Sequence, residues 1–96
     1  MDLSIFDNEN ITSTEARKVI IGLGESLPIT YKTLLHMFIL KLDDNQILEV
    51  YKVSRGIIKD LNSKSIDDCA IVLRQYNIPD NIIEYIIKQV VSQSLE

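Results

Sequence analysis

Pro79-Asp80-Asn81-Ile82-Ile83-Glu84-Tyr85-Ile86-Ile87-Lys88-Gln89-Val90-Val91 is the stretch from which the fold class can be read. Its apolar residues come in pairs four apart, Ile82-Ile83, Ile86-Ile87 and Val90-Val91. A four-residue step returns to nearly the same side of a helix, so the pairs make one apolar stripe with polar residues on the other side. A strand would need alternation by two, which is absent. Pro79 suits the first helical turn, where its missing N–H costs nothing. A stripe this apolar has to be covered. The expectation is that the helix packs within its own chain, with Ile83 and Ile87 buried.

Upstream, the same logic predicts four more helices. Asn77 suits a left-handed helix end. Before it, Cys69, Val72, Leu73 and Tyr76 form a stripe, with Ser65 and Asp68 at capping spacing. Asn62-Ser63-Lys64-Ser65 is a polar break. A third helix carries Ile47, Val50, Tyr51, Ile57, Ile58 and Leu61, with Gly56 as a point of weak continuity. Asp43-Asp44-Asn45 reads as a turn. A second helix, capped by Thr30, buries Leu34, Leu35, Phe38, Ile39 and Leu42. The first opens on Thr12 and Glu15 at capping-box spacing, runs through Ala16, Val19, Ile20, Leu23 and Leu27, and ends at Gly24 and Pro28. The chain therefore reads as all-α, about five short helices in one compact domain over residues 1–96, with 1–10 either poorly ordered or a short helical lead-in. Glu15 to Gly24 and Asp68 to Asn77 also echo each other, as two helix hairpins with equivalent caps would, or two copies of one repeated unit.

The chain has 96 residues, 46% hydrophobic and 25% charged, which fits one folded domain and not a disordered tail. Fourteen acidic against ten basic residues leave a net charge of −4. Affinity for nucleic acid comes largely from Lys and Arg neutralising phosphates, so this balance argues against that role and favours a basic partner. A single cysteine, Cys69, excludes an internal disulfide and cannot form a zinc site alone. It suits a reducing compartment, and Met1 to Asn10 lacks the pattern of a secretory signal, so a cytoplasmic location is expected. The most apolar run, Leu34 to Leu42, is broken by His36 and Lys41 and falls short of the roughly 20 residues of a membrane span.

Catalytic chemistry is not suggested. His36, the only histidine, has no nucleophile and orienting carboxylate placed around it by any local motif. Cys69 lies on an apolar stripe beside Asp67 and Asp68, the reverse of the positive surroundings that activate a thiol. Gly22 and Gly24 lack the third glycine and preceding strand of a nucleotide loop. Lys52, Arg55 and Lys59 share one polar helix face, which reads as a solvated surface before it reads as a phosphate contact. No catalytic residue, metal ligand or cofactor is expected.

One segment resembles a known family. Phe6-Asp7-Asn8-Glu9-Asn10, Ile11-Thr12, Glu15, Arg17, Val19-Ile20, Leu23-Gly24-Glu25 and Leu27 is similar to the loop and exiting helix of a calmodulin or myosin-light-chain EF-hand. Asp43-Asp44-Asn45-Gln46-Ile47 is faintly similar to a paired second loop. A calcium loop needs about 12 residues with oxygen ligands at alternate positions around a central glycine. With Glu15 as the last ligand, Phe6 falls on a ligand position and Glu9 on the glycine. The resemblance thus implies degenerate, calcium-independent loops.

It also implies a light-chain-like binding module that takes an amphipathic, basic helix of a larger protein in an apolar groove. Val19, Leu23, Leu34, Met37 and Phe38 are the expected partner-binding residues. The other reading is a small helical regulator, of helix-turn-helix or inhibitor type, acting on transcription or replication machinery. It draws on the basic stripe of the third helix and on the Ser65–Val91 pair of helices. For the metal, calorimetry with calcium at micromolar concentrations should give no binding heat. A micromolar affinity would contradict the degenerate-loop reading.

Overall fold

The computed structural model describes residues 10–94, and the lead-in expected for residues 1–9 lies outside them. Five helices follow in order: α1 (Ser13–Leu23), α2 (Ile29–Lys41), α3 (Asp44–Lys59), α4 (Ser63–Gln75) and α5 (Asp80–Ser94). No strand occurs among the described residues. The all-α expectation therefore holds, with the expected number of helices.

Local chemistry sets most of the helix ends. Thr12 caps α1: its Oγ1 accepts from the Glu15 N–H at 3.2 Å and its hydroxyl donates to Glu15 Oε1 at 3.0 Å. Asp43 caps α3 in a full capping box. Its Oδ1 accepts from the Gln46 N–H at 2.8 Å, and its own N–H donates to Gln46 Oε1 at 2.9 Å. The Asp43-Asp44-Asn45 turn is thus the start of α3 itself. A cap of this kind contributes about 1 kcal/mol.

Two caps differ from expectation. α4 begins at Ser63, capped by Asn62, whose Oδ1 accepts from the Ser65 N–H at 2.9 Å. Ser65 is the third helical residue and returns the bond through Oγ, so it does not cap toward Asp68. Thr30 does not cap α2. Pro28 stands at the cap position, and it makes no side-chain capping hydrogen bond. Proline fixes the entry angle through its own φ, and the helix begins two residues earlier than a Thr30 cap would start it. Gly56 does not interrupt α3, and its carbonyl accepts from the Asp60 N–H at the helix end. Leu61, placed on this stripe from sequence, lies past that end and is exposed.

The α4–α5 corner is a Schellman turn. Asn77 takes the left-handed conformation at φ 64°, as its side chain type allows. The Ile78 N–H then reaches the Leu73 carbonyl at 3.1 Å, and the Asn77 N–H the Arg74 carbonyl at 2.9 Å. Ile78 and Leu73, the apolar pair that accompanies this motif, are both buried. Pro79 follows just before α5, and its carbonyl accepts from Ile82 and Ile83.

α3 is the central element and packs on α1, α4 and α5, while α4 and α5 also pack on each other. α2 packs chiefly on α1. The core is almost wholly aliphatic, centred on Ile20, Leu35, Ile39, Ile47, Val50, Ile57, Leu73 and Ile86. Gly24 allows α2 close to the end of α1: a Cβ there would stand 2.2 Å from Leu35 Cδ2, and Leu35 is itself buried. Arg17 of α1 ties the next corner, donating to the Leu42 carbonyl and, at 3.5 Å, to Asp44.

α5 packs within its own chain, as expected. Ile82, Ile83, Ile86 and Val90 are buried. Ile87 is only partly buried, at the edge of the core with Val91. Each residue advances about 100° round a helix, which carries the second member of the later pairs to the edge of the buried sector. Ile86→Ala should therefore cost about 2–5 kcal/mol of folding stability. Ile87→Ala should cost clearly less in the same denaturant titration. Equal losses would contradict this placement.

Candidate functional site

The helix that stands apart is α2, Ile-Thr-Tyr-Lys-Thr-Leu-Leu-His-Met-Phe-Ile-Leu-Lys. The other helices have one apolar face and one polar face. α2 is apolar on both, and it carries no acidic residue. Leu35 and Ile39 enter the core, and Leu34 and Phe38 pack along its edge. On the opposite side Ile29, Met37 and Leu40 are 76%, 49% and 63% exposed. With Thr33 they follow steps of four, four and three, so they form one stripe along three turns.

This stripe lines a shallow depression of about 400 Å³, together with Lys32 and His36. Its lining residues all belong to α2. Thr33 turns its hydroxyl back to the Ile29 carbonyl at 2.8 Å, which satisfies it within the helix. Single exposed apolar residues are ordinary on a protein surface. A contiguous row on a helix that is apolar all round is not, because such a helix is normally covered on every side.

The structure separates the five residues expected to bind a partner. Val19 and Leu23 are buried in the core between α1 and its neighbours. Leu34 and Phe38 are half-buried against that core. Met37 alone lies on the exposed stripe. Periodicity placed the first two correctly on the apolar side of α1, but it cannot say whether an apolar side meets its own chain or another. Ile29 and Leu40 were missed. Their signal was present in α2 as the lack of any side without apolar residues.

The remaining chemical groups do not converge. His36 is exposed on α2, whereas Cys69 is buried in α4. Burial pushes the Cys69 thiol up to about 11, with the neighbouring Ser54 side chain opposing the rise. Ser54 is the only buried polar residue among the described ones, and its hydroxyl donates to the Val50 carbonyl at 2.9 Å. No group of three or more His, Cys, Asp or Glu residues among the described ones could hold a metal ion.

The Lys52, Arg55 and Lys59 face is mixed in sign. A depression beside it is lined by Glu49 and Asp68 as well as Lys52, and Arg55 and Lys59 already have partners. Glu49 accepts from the Tyr76 hydroxyl, joining α3 to the end of α4. That bond to a carboxylate pushes the Tyr76 hydroxyl up to about 12. Its stabilising effect is complete below the usual tyrosine range and is lost as pH rises through about 12. A further depression, of about 680 Å³, lies along α3 at Leu48, Tyr51, Lys52 and Arg55. Asn10, Tyr51 and Arg55 on its rim are already engaged.

No described helix is long and apolar enough to cross a membrane. The chain matches no family model, no curated protein and no solved structure.

The thiol gives a direct check on this arrangement. At pH 8 Cys69 should be neutral and shielded, so a thiol reagent should label the native chain only at the rate of unfolding. Labelling should become immediate in denaturant. Fast labelling of the native chain would contradict the burial of the inner face of α4.

Proposed function

We propose that this chain is a protein-binding module whose docking surface is the outward stripe of α2. The observation that carries the reading is the exposure of Ile29, Met37 and Leu40 on a helix whose other side is anchored in the core. Such a stripe loses nothing when a partner helix covers it, and each fully covered side chain contributes about 1.5–3 kcal/mol. Helix-to-helix docking at i, i+4, i+7 and i+8 anchors is a common recognition mode. The residues are held by a rigid element, so little ordering is required on this side of the interface.

The reading keeps the calcium-independent, light-chain-like idea in its general form, a small helical module that binds a helix of a larger protein. It moves the surface from an apolar groove at Val19, Leu23, Leu34, Met37 and Phe38 to the outside of α2. The helix-turn-helix alternative is weaker. A recognition helix enters the negatively charged major groove with its first turns against the base edges. The start of α5 carries Asp80, which is paired with Arg74 at 3.0 Å, and the exposed Glu84.

Leu40→Glu tests the proposal, because Leu40 is exposed and its loss should leave the fold intact. The wild-type chain and the variant would be used as baits in lysate of the source cells. The expected result is a protein retained by wild type and lost by Leu40→Glu, with unchanged helicity by circular dichroism. An identical set of retained proteins for both baits would contradict it, as would the absence of any retained protein.

A further inference from the structure

The ionisable side chains of α2 that border the stripe have one sign, and it is opposite to that of the whole chain. The net charge is −4, yet α2 carries Lys32, His36 and Lys41 and no acidic residue. Lys32 and His36 border the stripe on one side and Lys41 on the other. This follows from 100° per residue: Ile29, Leu40, Thr33 and Met37 span a narrow sector, with His36 and Lys32 before it and Lys41 after it. All three are exposed. The first turn adds to this polarity. It has no acidic side chain, as in α4, and it also lacks the side-chain cap that α1, α3 and α4 each have, so the positive end of the helix dipole is not offset within α2.

We infer that the α2 stripe takes an acidic amphipathic helix from another protein, its apolar side on Ile29, Met37 and Leu40 and its carboxylates on Lys32 and Lys41. The inference rests on the docking surface proposed above and fixes the chemistry of the partner, acidic and not basic. Three other occupants fit less well. A second copy would bring two more lysines and no carboxylate on the facing helix. An anionic membrane typically needs a cluster of about four to eight basic residues, whereas this face has two lysines on a chain of net negative charge. Nucleic acid fails for the same reason. A partner helix need only match the stripe, about 16 Å long at 1.5 Å per residue. The contact is small, so affinity should be in the micromolar range.

The test uses two synthetic helical peptides of about 18 residues with the same leucine stripe, one flanked by Glu and one by Lys. Fluorescence anisotropy is followed with the full chain, with its Lys32→Glu/Lys41→Glu variant and with its Leu40→Glu variant. The Glu peptide should bind wild type at least about ten-fold tighter than the Lys peptide, and the preference should reverse in the lysine variant. Leu40→Glu should weaken both peptides. Equal or tighter binding of the Lys peptide to wild type overturns the inference, and so does failure of both peptides to bind up to millimolar concentration. Concentration-dependent dimerisation in sedimentation that Leu40→Glu abolishes would also overturn it, as would cosedimentation with phosphatidylserine vesicles. If the lysate partner is lost with Leu40→Glu but the Lys peptide is preferred, only the sign of the partner is wrong. If the lysate partner is unaffected, the docking surface itself is wrong.

Discussion

The inner face of α3 is the constraint on which the other helices depend. Ile47, Val50, Tyr51 and Ile57 are buried there, and α1, α4 and α5 all meet this helix. Ser54 completes the face without leaving a polar group unsatisfied, because its hydroxyl is spent on the Val50 carbonyl one turn back. It also sits against Cys69, so α3 and α4 meet there through two small side chains. An aliphatic core of this kind draws its stability from close packing and has few polar contacts that could substitute for a lost one.

Around that centre α2 is the exception. It is fixed by Leu35 and Ile39, by the close approach at Gly24 and by the Arg17 tie at its far corner. These contacts hold one side and leave the other unused. The consequence is a rigid helix that presents apolar side chains to solvent between lysines. A surface of that composition favours association over solubility, which is the physical reason to read it as an interface and not as an accident of composition.

Much of the fold was legible because its determinants are local. The α1 and α3 caps, the paired isoleucines of α5 and the left-handed Asn77 each specify a helix boundary or a buried face from a few neighbouring residues. The misreadings came where two local solutions compete. Asn62 and Ser65 can each cap α4, and Asn62 is the one whose bonds with Ser65 run both ways. Pro28 and Thr30 can each open α2, and the fixed φ of proline decides. The site was less legible for a different reason. Val19 and Met37 look alike in a periodicity argument, but one is buried in the core and the other faces solvent. That difference depends on which helices meet, and the meeting of α1 with α3 is a tertiary fact that no local pattern encodes. Ile29 and Leu40 could have been found by asking of each helix which side is polar, since α2 has no such side.

The central claim is that the outward side of α2 is free in the isolated chain and covered in the cell. Oxidation of Met37 by peroxide, read by mass spectrometry, reports on this side chain directly. Met37 should oxidise rapidly in the purified protein, as its 49% exposure requires. In lysate of the source cells it should be protected, and adding excess Glu-flanked peptide to the purified protein should protect it in the same way. Equal oxidation of Met37 in the purified chain, in lysate and with peptide would contradict the account.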